Sequence, residues 1–220
     1  HPLTTKEVMS IQNEVKPKSV GRPKSNQKRK QILYTAGELF LQQGYDRTSM
    51  DAVAKASKVS KQTVYSHFKN KDVLYTAVIE TKCEEYRIEE AAICIETQAI
   101  EDILHNIALN FIQLLNDKRV IAMYSVVIGE SKYNKHVAEL FYDAGPLHSV
   151  NLVSRLLVKH PSTQLSQEDA RDAAIDFFNL LKGDYHMRSM LGLDYEQNES
   201  ALIDFAQKAV KKTCQLFTLY

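Results

Sequence analysis

Eight consecutive residues, Ser60-Lys61-Gln62-Thr63-Val64-Tyr65-Ser66-His67, gather side chains suited to reading a hydrogen-bonding surface. At helical spacing Val64 turns inward, and Ser60, Lys61, Gln62, Thr63, Tyr65 and His67 stay outward: hydroxyls, an amide, a cation and aromatic rings. The chemistry fits base edges. A glutamine amide can pair bidentately with adenine, a lysine can reach guanine O6 and N7, and Ser or Thr can donate, accept or touch a thymine methyl. Asn70-Lys71-Asp72 opens the next helix, whose free N–H groups and positive end suit a phosphate.

The charge layout points the same way. Net charge is only +1, but residues 1–75 carry 14 Lys+Arg against 6 Asp+Glu, and residues 76–220 carry 14 against 21. A balance of +8 on the first third and −7 on the rest describes a polyanion-binding head on an acidic body. A basic tail alone does not account for it, because Lys55, Lys58, Lys61, Lys69 and Lys71 continue the excess inside helix-forming sequence.

Other chemistries find little support. Asp102-x-x-His105 is half of a di-iron motif, which needs a second such pair and two further glutamates. Cys83, Cys94 and Cys214 lack metal-ligand spacing and suit reduced thiols. No Ser, Cys or Lys has neighbours that would activate a nucleophile, and seven glycines are few for a glycine-built nucleotide cradle. The expectation is no enzyme, no metal and no cofactor. No apolar run approaches the roughly 18 residues of a membrane span. No basic-then-apolar leader is visible, which suits a cytoplasmic protein with no membrane partner. The chain opens on His1, and the segment before Met9 is set aside from the fold.

The positioning elements read as helices throughout. Of the 220 residues, 44% are hydrophobic and 25% charged, ordinary for a globular chain, and no segment alternates with period two, so the expected class is all-α. Residues 1–26, with Pro17, Gly21 and Pro23 among basic residues, read as a flexible arm. Residues 27–75 read as a three-helix unit. Its first helix follows Ile32, Leu33, Ala36, Leu39 and Phe40 and stops at Gly44, and its second is capped by Thr48 with Asp51 three residues on. A turn at 58–60 and the cap Ser60 then make 48–68 a helix-turn-helix, with Val53, Ala54, Val59 and Val64 inward. A fourth helix is expected over 71–96.

Residues 76–220 read as a larger helical body. Expected helices cover 100–115, 120–128 (stopped by Gly129), 132–144, 147–158 after a break at Gly145-Pro146, 166–191 and 196–219. Phe111, Met123, Tyr124, Tyr142, Phe177 and Phe178 are candidates for an apolar ligand pocket, against the alternative of ordinary core. Asp184 falls on the inward stripe of its helix, needs a partner such as His186 or Arg188, and suits an interface. Leu202, Phe205, Ala209, Thr213, Leu216 and Phe217 form a stripe that could complete a four-helix bundle with a second copy.

The stretch GRPKSNQKRKQILYTAGELFLQQGYDRTSMDAVAKASKVSKQTVYSHFKNKDVLYTAVIE resembles the N-terminal domain of the TetR family of transcriptional repressors. GESKYNKHVAELFYDAGP and LLKGDYHMRSMLG look more loosely like the C-terminal domain of AcrR-type members. The resemblance implies a three-helix DNA-binding domain, with DNA contacts from Ser60, Lys61, Gln62, Thr63, Tyr65 and His67 and backbone support from Thr48 and Lys71. It further implies a C-terminal domain that binds a small-molecule inducer and dimerises. The expected function is release of a homodimer from a palindromic double-stranded DNA operator by an apolar or amphipathic ligand. The rival readings are an all-α enzyme, which turnover would reveal, and a constitutive architectural DNA binder, which a pocketless body would favour.

Overall fold

The computed structural model describes residues 22–193 and 198–219, and residues 1–21 of the expected arm lie outside it. Helix α1, Arg22–Gln43, begins inside the segment read as arm. Pro23 stands in its first turn, where a missing N–H forfeits no bond and the fixed φ favours the helix. Ile32, Leu33, Ala36 and Phe40 are its buried face. Gly44, at φ +79°, ends it with an N–H bond to the Phe40 carbonyl at 2.9 Å.

Helix α2, Met50–Ser57, is capped by Ser49, whose hydroxyl accepts the Ala52 N–H at 3.0 Å. This corrects the expected cap. Thr48 is buried and donates its hydroxyl to the Gly44 carbonyl at 2.7 Å, so it closes the turn below the helix instead. Lys58 takes the left-handed conformation at φ 56°, and Ser60 caps α3, Lys61–His67. Asn70 caps α4, Lys71–Glu84, which stops well short of 96. Beyond it the chain runs through turns and one 3-10 turn, Glu90–Ala92, with Ile93 and Ile95 packed on Ile103, Leu152 and Leu156. Lys82 pairs with Asp117 at 2.7 Å and the Tyr86 hydroxyl donates to it at 2.6 Å, fastening the end of α4 to the cap of the helix that begins at Lys118.

The body holds α5, Ile100–Asn116; α6, Lys118–Ser131; α7, Lys135–Tyr142; α8, His148–Lys159; α9, Gln167–Met190; and α10, Glu199–Phe217. Helix α6 runs through Gly129, which therefore is not a stop. Gly145-Pro146 does not break the chain either. Residues Asp143–Leu147 form a π turn that joins α7 to α8, and its wider ring accommodates Pro146. Gly183, at φ 49° and ψ −154°, interrupts α9 and resets its register. Asp184 is consequently 85% exposed, paired with Arg188 at 3.7 Å, and not inward as its stripe suggested.

One apolar core joins α1–α4 to Met123, Val127, Val137 and Ala144 of the body, so head and body pack as a continuous unit. A second fills the body between α5, α8, α9 and α10. Ala209 belongs to it and Thr213 is buried as well, both covered within their own chain, with Leu202, Phe205 and Phe217 packed against that core. The stripe expected to meet a second copy is therefore mainly an intramolecular face, and only Leu216, 65% exposed, points away. Periodicity reports that a face is buried, not what buries it. Among the described residues there is no strand, and no helix is long and apolar enough to cross a membrane.

Candidate nucleic-acid interface and interior cavity

Met50, Val53, Ala54 and Val64 pack with Ile32, Phe40 and Phe68, which fixes the angle between α2 and α3 and leaves one side of α3 in solvent. Ser60, Lys61, Gln62 and Tyr65 share that exposed side. The Thr63 hydroxyl is 2.8 Å from that of Ser60, so the two are committed to the helix start as well as available to a partner. His67 is half-buried, and its carbonyl accepts from Arg29 Nη1 at 3.3 Å. Arg29 lies 4.4 Å over the Phe68 ring and ties α1 to the end of α3. Lys61 is paired with Asp51 at 2.8 Å, across the helix pair.

Two expected backbone contacts sit differently. Thr48 is buried, because its hydroxyl is used by the turn, and does not face outward. Lys71 is half-buried: its Nζ donates to the Tyr45 carbonyl at 2.8 Å and lies 4.0 Å from the Tyr45 ring centroid. The Asp51–Lys61 pair and the role of Arg29 were missed by sequence reasoning, since partners ten or more residues apart leave no periodic signal.

A polar seam fastens this head to the body. Glu130 Oε1 accepts the Tyr45 N–H at 2.9 Å, Asn134 donates to Asp46 at 2.8 Å, and His136 lies 2.8 Å from Asp72. The Tyr45 hydroxyl also donates to Asp72. That bond, reinforced by His136, holds the Asp72 carboxyl below the usual carboxylate range. Arg119 of α6 pairs with Glu38 of α1.

Beside the seam lies a cavity of about 840 Å³, within the roughly 300–1,000 Å³ typical of small-molecule sites. Its walls come from α1 (Leu33, Tyr34), α4 (Val78, Cys83) and the body helices. Phe111, Met123, Tyr124, Tyr142 and Phe178 line it. Phe177 does not: it is fully buried in the core of the body, its ring 5.1 Å from that of Phe178. Phe111 meets Phe178 edge-on at 4.7 Å, and Tyr124 meets Phe141 at 5.0 Å. Burial pushes the Tyr124 hydroxyl up to about 12 and lowers Lys182 below the usual lysine range. Among the described residues no group of His, Cys, Asp and Glu could hold a metal ion.

Residues 32–78 match the family described as bacterial regulatory proteins, tetR family, and residues 102–216 match the AefR-like transcriptional repressor, C-terminal domain. The body thus falls on the AefR-like repressors, where its quoted motifs resemble AcrR-type members. Over 196 residues the chain is 25% identical to the HTH-type transcriptional regulator YdeS of Bacillus subtilis, covering 87% of this chain and 92% of that protein. With YhgD of the same organism identity is 42% over 60 residues, 27% of this chain and 31% of that protein, so this match spans less than a third of the relative. Among solved structures, the flavonoid-responsive regulator FrrA superposes with a TM-score of 0.67 at 26% identity, covering 87% of this chain and 97% of that one. The second match alone spans more than half the chain, the first falls on the helix pair whose outer face is described above, and the chain therefore belongs to the TetR family of DNA-binding transcriptional regulators.

Proposed function

We propose that the protein is a repressor that binds a palindromic operator as a homodimer and is released by an apolar or amphipathic small molecule. The observation that carries this reading is the composition of the cavity wall. Helix α1 belongs to the head's own core, and it faces the cavity together with α4 and the body helices. A bound molecule therefore touches the head directly and need not act through α4 alone. Filling the space shifts α1 and α4 against α6, and with them the direction of α3. The description of FrrA as flavonoid-responsive and of the body family as repressors supports both parts.

Dimerisation follows from the size of the reading head. One seven-residue α3 contacts too few base pairs for useful specificity, and two-fold symmetry places a second copy about one DNA turn away, ~34–36 Å. The outer side of α9 and α10 suits the contact, because Met187, Leu191 and Leu216 are exposed there at 60%, 64% and 65%. The DNA-facing residues of this reading are Ser60, Lys61, Gln62, Thr63, Tyr65 and His67. In vitro selection from random duplexes should return two half-sites related by a dyad and about one turn apart. Enrichment of a single half-site, or of none, would reject the symmetric operator.

A further inference from the structure

Arg87 follows the end of α4, where the chain leaves the helix. Its Nε and Nη2 are buried and have no hydrogen-bond partner. These two nitrogens share one edge of the guanidinium, the edge that offers two parallel N–H groups to the two oxygens of a carboxylate. Among the described residues no carboxylate lies within ion-pair distance of Arg87; Glu90, on the next turn of chain, is taken by Arg155 at 3.5 Å. A permanent charge with two unanswered buried donors is costly, and a methionine here would avoid the cost.

The side chain is not isolated. Arg87 borders an annex of about 40 Å³ together with Asn110 and Ser149. Cys83, Phe111 and Phe178 border both this annex and the 840 Å³ chamber, so the two are neighbours behind one set of side chains. The chamber is walled mainly by apolar and aromatic residues, and its half-buried Lys182 has no carboxylate within ion-pair distance among the described residues. Apolar space thus adjoins an annex whose polar lining is a cation, an amide and two hydroxyls, that of Tyr86 already given to Asp117.

We propose that the annex is a carboxylate subsite, and that the molecule sensed by the cavity is an amphipathic acid with its tail in the chamber and its carboxylate on the Nε/Nη2 edge of Arg87. This rests on the reading of the cavity as the ligand site. The annex has room for a carboxylate and not for a ring, which fixes the direction in which the ligand enters.

Probes that share a tail test the parts separately: dodecanoate against dodecan-1-ol, and 2-naphthoate against 2-naphthol, titrated calorimetrically into the full chain. The acid of a pair is expected to bind roughly 10- to 100-fold tighter than its alcohol, the range for a charge-assisted pair of hydrogen bonds. Arg87→Met should bring the acid down to the affinity of the alcohol and leave the alcohol unchanged, with Arg87→Lys between. The unliganded Arg87→Met protein should also melt higher, since its buried donors are gone; a lower Tm would mark Arg87 as structural and overturn the subsite. Acid and alcohol binding equally to the wild type would overturn the subsite and leave the cavity reading intact. An acid preference that survives Arg87→Met would overturn Arg87 in favour of Lys182. No binding by either member of either pair would remove the cavity reading as well.

Discussion

The carboxylate of Glu130 in α6 accepts the backbone N–H of Tyr45 at 2.9 Å, directly beyond the glycine that ends α1. A Cβ at Gly44 would stand 2.4 Å from Glu130 Oε1, and the backbone there is at φ +79°. Body and head thus meet where only glycine fits both the conformation and the approach.

Glu130→Ala should destabilise the protein by about 1–3 kcal/mol, since the Tyr45 N–H loses its acceptor. Gly44→Ala should cost a similar ~1–3 kcal/mol, from strain and from displacing that same carboxylate. Because both remove one contact, the double mutant should cost less than the sum. Urea denaturation of the four proteins measures this, and strict additivity would show that the two residues do not act together.

Gln62 stands exposed on α3, free to meet a base. Gln62→Ala should relax operator preference and cost about 1–3 kcal/mol on the specific site. Lys61 is held by Asp51, whose negative charge would oppose phosphates met by the proposed DNA-reading face. Asp51→Asn should tighten binding to all DNA sequences and steepen its salt dependence. Anisotropy titrations at several salt concentrations separate the two behaviours; unchanged preference in the first variant would move base reading elsewhere on α3.

Phe205 meets Tyr185 edge-on at 5.1 Å, and its ring fills the space beside Gly183. Phe205→Glu should therefore unfold the C-terminal helices of the protomer and not merely separate two copies. Leu216→Glu is the variant expected to yield a folded monomer. Sedimentation equilibrium alongside circular dichroism distinguishes them, and a Leu216→Glu protein that stays dimeric at micromolar concentration would relocate the contact.

Stability should fall on acidification from neutral pH. Burial, aided by Arg87 at His148 and by Lys182 at His186, holds both imidazoles below their ordinary 6.5. The unfolded chain therefore binds protons near pH 6.5 that the folded protein refuses, so stability rises with pH through that interval and levels off above it. His186→Phe, which keeps a ring against Tyr124 at 5.5 Å, should flatten the slope. Tm measured from about pH 7.5 to 5 reads it directly; an unaltered slope would exclude His186 as a source.

The helix pair was legible because its cues are local. Ser60 and Asn70 cap the helices that their spacing indicated, and Val53 and Val64 are buried as their stripes require. The cavity lining was legible in part: Phe111 and Phe178 reach the cavity from the edge of the core, but Phe177, one residue away, lies wholly inside that core, since adjacent helical residues point about 100° apart. Three misreadings share one cause. Gly129 and Gly145-Pro146 read as breakers and Gly183 as ordinary helix, yet α6 ignores the first, a π turn absorbs the second, and Gly183 is the one that departs from helical angles. What a glycine does depends on the neighbours that arrive in space. Arg87 left no trace in the sequence either, because an unanswered donor is defined by what is not beside it.

The π turn at Asp143–Leu147 carries one residue more than an α turn would need. Upstream of it, α7 presents His136 to Asp72, and around it Tyr142, Gly145 and Pro146 face the cavity. Removing a single residue would restore an unbroken α-helix and turn α7 by about 100° relative to α8. His136 would swing off the head, and Tyr142 off the cavity, in the same rotation. The surplus residue acts as a gear tooth: it sets the phase between the cavity wall and the contact with the head, so the length of the chain at this point matters more than the identity of any one side chain in it.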